Sequence, residues 1–190
     1  DKCLEADKYF LKARLTKVAL RFCQGDKNHF YELMRSELKQ HPYMRSFAWA
    51  FSLPRFPELY FNKWDFFDSI VKKTRITNPF YEFGVWKGSS FKYLIKTFKK
   101  GYGFDTFEGL PEDWVVGSHV TKKGAYTSDG VVPKIKGGEF IVGRFEDTLP
   151  VFFSKRRPKA SVMNFDADLY SSTICALNCS KSVMDKDTIL

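Results

Sequence analysis

The sequence predicts an α/β fold, a parallel sheet with helices on its faces, preceded by a helical segment. Three observations carry this. From residue 79 onward, short apolar runs alternate with stretches of helical periodicity. Between those runs stand Gly, Ser and Asp clusters that suit strand-to-helix turns. Before residue 76, the pattern is helical and aromatic-rich, without strand alternation. The expected division is therefore residues 1–75, a helical cap, and residues 76–190, the sheet domain.

Taken in order, residues 4–22 place Leu11, Leu15 and Ala19 four apart, as one helix face requires. Residues 29–39 read as a second helix, ended near His41-Pro42. The stretch "FAWAFSLPRFPELYFNKWDFFDSIVKK" is aromatic and broken by Pro54 and Pro57. It reads as core packing or as a lid over a pocket. "FYEFGVW" is a strand. "SSFKYLIKTFKK" is a helix, with Phe91, Leu94, Ile95 and Phe98 on one face, Ser89 or Ser90 as cap, and Gly101 to end it. "GYGFDTF", "EFIVG" and "ASVMNFDADLY" supply further strands. Residues 171–184 form a helix, and "DTIL" opens a fifth strand. The long connection at 108–134, which holds Pro111, Gly117, Gly124, Gly130 and Pro133, falls at the sheet's C-terminal edge, where substrate sites gather.

The chain has 190 residues, enough for one such domain and an appendage. No apolar run reaches the length of a membrane span, and no signal peptide is recognisable, so a cytoplasmic protein is expected. The four cysteines, at 3, 23, 175 and 179, match no zinc or redox spacing and are expected to be reduced and buried. Twenty Phe in an ordinary charged fraction call for a packed core and an aromatic-lined cavity or interface. The net charge of +9 admits an anionic partner, but the basic residues are scattered outside Lys99-Lys100 and Lys155–Lys159. A solvated surface is the better reading than a nucleic-acid site.

Four stretches carry chemistry. In "EFGVWKGSS", Gly84 permits a tight turn, Gly88 permits close approach, and the next helix points free N–H groups at the same place. Trp86 occupies the middle of the turn, which argues against a dinucleotide's pyrophosphate and so against a nicotinamide enzyme. Asp105 ends the second strand one strand–helix–strand unit after Glu82. It can accept the hydroxyls of a ribose, or serve as a turn residue. Phe107, just beyond, can lie against a purine. In "GRFEDTLP", Arg144, Phe145 and Glu146 border the same crevice, and Asp147 caps a short turn from Thr148. In "NFDADLYSST", Asp166 and Asp168 end an apolar strand on one side of it. Paired carboxylates there can hold a magnesium or calcium ion, or take a proton from a substrate hydroxyl; Asp168 can also cap the next helix.

Together, "YEFGVWKGSS", "GYGFDTFEGLPEDW", "GRFEDTLP" and "NFDADLYSST" resemble the macrocin O-methyltransferase family, over residues 79 to 190. These are class I S-adenosylmethionine-dependent methyltransferases with a Rossmann-like sheet, acting on sugar hydroxyls of natural products. The resemblance implies that Glu82 and Gly84 hold the cofactor's methionine part, with Gly88 and Ser89 helping and Phe83 and Val85 beside them. It implies that Asp105 and Thr106 face the ribose, while Phe107, Arg144 and Phe145 border the adenine. Asp166 would join the cofactor set and supply a magnesium ligand. Asp168 would be a second catalytic carboxylate or a substrate contact. The partner would be a small hydroxylated acceptor. The family continues past the point matching Leu190 with further metal ligands and strands, so a sheet truncated at its C-terminus is expected. The alternative is a non-catalytic cofactor-binding module of a larger protein. Residues 1–75 would form a cap or a homo-oligomer contact.

Overall fold

The computed structural model describes residues 2–7, 9–60, 62–116 and 119–190. Gly117, in the long connection, lies outside the described residues, as do residue 8 of the first expected helix and the side chain of Cys3. The chain divides into two compact units, Asp1–Leu59 and Tyr60–Leu190.

The first unit is helical: α1 (Lys2–Ala6), α2 (Leu11–Cys23), α3 (Asn28–Met34) and α4 (Pro42–Ser52), with a 3-10 turn at Glu37–Gln40. Leu15, Val18, Phe30 and Met44 form its centre. Phe22 stacks on Phe51 at 4.0 Å. Pro42 does not simply end a helix. It opens α4, because its missing N–H and fixed φ suit a first turn, while His41 Nδ1 accepts the Tyr43 N–H.

The second unit begins with α5 (Lys63–Lys73), capped by the Asn62 side chain, which accepts the Trp64 N–H at 2.8 Å. α5 clusters with this unit, although the sequence reading grouped it with the cap. There follow β1 (Phe80–Phe83), α6 (Ser89–Phe98), β2 (Gly101–Asp105), a short antiparallel hairpin of β3 (Trp114–Val116) and β4 (His119–Thr121), β5 (Gly138–Val142), α7 (Phe145–Phe153), β6 (Val162–Phe165) and α8 (Tyr170–Cys179). The main sheet is parallel in the order β5-β2-β1-β6. A parallel bridge from Val162 to Ile189 extends it beyond β6.

β1 is central and buried throughout, so its alternating side chains feed two cores. Phe80 packs toward α6, against Phe91, Leu94 and Phe98. Tyr81 and Phe83 pack toward α7 and α8, with Phe104, Leu149, Phe152 and Ala176. In register across β2, β1 and β6, the rings of Phe104, Phe83 and Phe165 stack at 4.9 and 4.8 Å. Much of the aromatic content therefore builds the core instead of lining a cavity.

Some local readings are corrected. The left-handed C-cap of α6 falls on Lys99 (φ 62°), not on Gly101, which opens β2, where a Cβ would strike the Phe80 ring. Thr148 lies inside α7, whose N-cap is Arg144. Cys23 is exposed, and Cys175 and Cys179 are half-buried on one packed side of α8. In the basic loop, Arg157 lies over the Phe152 ring at 3.7 Å and donates to its carbonyl, and Lys159 donates to the carbonyls of Ser182 and Met184. Among the described residues, no helix is long and apolar enough to cross a membrane.

Candidate functional site

The C-terminal ends of β1, β2, β5 and β6 open into one crevice, where an open parallel sheet places its ligands. It holds a cavity of about 390 Å³, within the range for small-molecule sites.

Its floor is the turn after β1. Gly84 has φ 90°, and a Cβ there would lie 2.1 Å from the Asp166 carbonyl oxygen. Only glycine lets the ends of β1 and β6 close on each other this tightly. The Gly84 N–H donates to the Phe104 carbonyl and the Asp166 N–H to that of Phe83, so three strand ends are locked together. Gly88, also left-handed, is the N-cap of α6 and abuts Pro133 and Ile135. No side chain caps α6, and Ser89 and Ser90 at its start line the cavity. The helix thus presents open N–H groups and the positive end of its dipole there.

Beneath this turn, Glu82 is fully buried. Ser90 Oγ donates to Glu82 Oε1 at 2.6 Å, while Oε2 has no partner, nor does Nδ2 of Asn164, opposite in register on β6. Burial pushes the Glu82 carboxyl up to about 8, and the Asp166 charge adds to this; the Ser90 hydrogen bond, Asn164 and Lys63 offset it only in part.

Asp105 stands on the cavity wall at the end of β2, with its carboxylate engaged by backbone. Val85 N–H and Trp86 N–H donate to Oδ2, each at 2.7 Å, and Phe107 N–H donates to Oδ1 at 2.8 Å. Thr106 adjoins it, its hydroxyl donating to the Gly109 carbonyl at 3.1 Å. Beyond β5, Arg144 and Phe145 line the cavity, with Arg144 paired to Glu146 at 2.7 Å. From β6 come Asp166 and Asp168. Asp166 Oδ2 lies 3.9 Å from the Lys63 ammonium, and both side chains are about half exposed. Burial and the neighbouring Asp166 hold the Asp168 carboxyl above its ordinary range.

Of the residues singled out from sequence, Gly84, Val85, Ser89, Asp105, Thr106, Arg144, Phe145, Asp166 and Asp168 meet at this cavity. Glu82, Phe83, Gly88 and Phe107 are not among its lining residues. Phe83 belongs to the ring stack, and Phe107 is buried against Phe140 in the core on the α6 side. Leu110 and Tyr126, from the 108–134 connection expected at this edge, line the cavity, and Lys63 and Ser172 line it unforeseen. Nothing local in the sequence marks Lys63.

No family model matches the chain. No curated protein matches it. Among solved structures, it is similar to the calicheamicin methyltransferase CalS11, with 18% identity, a TM-score of 0.52, and 90% of this chain and 74% of that chain covered. An apo structure of CalS11, described as a TDP-rhamnose 3'-O-methyltransferase of calicheamicin biosynthesis, matches over the same shares at 18% identity with a TM-score of 0.45. The fold is that of a Rossmann-like methyltransferase. Its crevice occupies the expected edge of that fold, and the sheet order 5-2-1-6 by strand number places β1 at the centre, beside the switch in direction of winding.

Proposed function

We propose that the chain binds S-adenosylmethionine and transfers its methyl group to a hydroxyl of a small acceptor, a sugar or another natural-product ring. The observation that carries this reading is the Gly84 turn closed on Asp166, with the uncapped start of α6 opening on the same cavity. A zwitterionic amino-acid end fits this corner. Its carboxylate suits the α6 N–H groups, and its ammonium suits the exposed Asp166 carboxylate. Thr106, Arg144 and Phe145 would border the nucleoside. The cofactor, when bound, supplies an electrophilic methyl on a sulfonium.

The chain's own work is binding and proton handling. The Lys63 ammonium, 3.9 Å from Asp166 Oδ2, lines the same cavity. Asp168, more basic than an ordinary carboxylate, is suited to take the acceptor's proton as its oxygen attacks. Holding the two reactants in line supplies much of the rate. Magnesium requires more oxygen ligands than the described residues gather. Asp166 and Asp168 make two carboxylates, one beside an ammonium, and no group of three or more metal-binding side chains occurs among the described residues. This donor set does not fit a magnesium site by itself. The helical unit Asp1–Leu59 remains a proposed cap.

The test is methyl transfer from radiolabelled S-adenosylmethionine to a panel of hydroxylated glycosides. Label in an acid-stable, base-stable acceptor product supports O-methylation of a sugar. Label in amine or thiol acceptors only would overturn that part of the reading.

A further inference from the structure

Asp105 occupies the place where a strand-end carboxylate would meet a ribose, yet its oxygens are already in use. Two N–H groups of the β1 turn, Val85 and Trp86, converge on Oδ2, and the Phe107 N–H on Oδ1. A carboxylate offers about four acceptor positions. With three filled by backbone, both hydroxyls of a ribose cannot be accepted without breaking the turn.

What the carboxylate holds is itself unusual. Trp86 (φ 50°) and Phe107 (φ 60°) both sit in left-handed backbone, which residues with a side chain rarely adopt. The charge-assisted hydrogen bonds to Asp105 compensate that strain. The turn in turn aims the Trp86 indole, whose Nε1 donates to the Thr127 carbonyl at 2.9 Å. Trp86 and Tyr126, ring centroids 6.2 Å apart at 80°, both line the cavity. The Phe107 carbonyl accepts from the N–H groups of Ser128 and Gly130, so the same clasp also anchors the far end of the connection.

We infer that Asp105 is a positioning residue: it acts on ligand binding by fixing the Val85–Trp86 turn and the Trp86–Tyr126 wall, not by accepting ribose hydroxyls. This rests on the cofactor reading above.

The test is a thermodynamic cycle. S-adenosylhomocysteine and its 2',3'-dideoxy analogue are titrated into the wild type and Asp105→Asn. The Asn side chain keeps one acceptor but turns an NH2 toward the backbone donors. Asp105→Asn should weaken S-adenosylhomocysteine about tenfold or more, and loss of the hydroxyls should cost the same factor in both proteins. In the wild type alone, that loss should stay below about tenfold, the scale of a single hydrogen bond. A hydroxyl effect that is large in the wild type and vanishes in Asp105→Asn would overturn the inference. The ligand-free protein gives an independent readout by 15N NMR. The amide protons of Val85, Trp86 and Phe107 should lie downfield in the wild type and move upfield in Asp105→Asn. Unmoved amides would equally overturn it. If neither protein binds S-adenosylhomocysteine, the cofactor reading fails, and the amide shifts still decide whether the clasp exists.

Discussion

Replacing Glu82 with Gln should flatten the pH dependence of stability between about 4.5 and 8. Glu82 lies on the central strand, on the face covered by α6, with one oxygen bonded to Ser90 and the other without a partner. Burial raises its carboxyl from 4.5 to about 8. Below 4.5 both folded and unfolded chains carry the proton, and the stabilising contribution is fully present. Between the two values the folded chain keeps a proton that the unfolded chain releases, so stability falls as pH rises. Above 8 the loss is complete. A displacement of that size corresponds to a fall of about 5 kcal/mol across the window, at about 1.4 kcal/mol per unit. This compares with a total stability of about 5–15 kcal/mol for a domain. Gln has the shape of the neutral acid, and its carbonyl can accept the Ser90 hydroxyl. Urea unfolding at pH 5, 6.5 and 8 reads the outcome as a difference between the two proteins, which cancels other titrating groups. The variant should match the wild type near pH 5 and exceed it by several kcal/mol at pH 8. Parallel profiles, or a variant less stable at pH 8, would refute the reasoning.

Two further outcomes follow from the same geometry. Gly84→Ala forces a Cβ against the Asp166 carbonyl oxygen in left-handed backbone. It should cost about 2–5 kcal/mol and lower Tm by roughly 10 °C, with loss of S-adenosylhomocysteine binding; a variant melting within about 2 °C of the wild type contradicts this. Asp168→Asn should lower the rate of methyl transfer by about 100-fold or more while changing S-adenosylhomocysteine affinity less than about threefold. The wild-type rate should climb with pH as Asp168 ionises, above the ordinary carboxylate range, and the variant should lose that limb; a variant keeping it would reassign the base.

The sheet was legible because its strands are short, apolar and punctuated by residues with one conformational use. β1 stops at Phe83 because Gly84 turns left-handed, and β2 stops at Asp105 because that carboxylate closes the turn. The same local logic located Ser89, Asp105, Asp166 and Asp168 at one edge. It failed where a side chain's direction depends on tertiary packing. Phe107 reads as an exposed platform, but φ 60° turns its ring into the core. Glu82 reads as a ligand contact, but strand alternation directs it under α6 toward Ser90. Lys63 arrives from α5, an element separated from the motifs by sequence and joined to them only by folding. α7 begins at Phe145 because Arg144 is extended and supplies no side-chain cap, so no capping residue announces the helix.

The most direct test of the central claim is calorimetric titration of the chain with S-adenosylhomocysteine. One-to-one binding with a Kd on the order of 10 μM, about −7 kcal/mol, is expected, weakened strongly by Gly84→Ala. A folded wild-type protein that takes up no heat at millimolar ligand would contradict it.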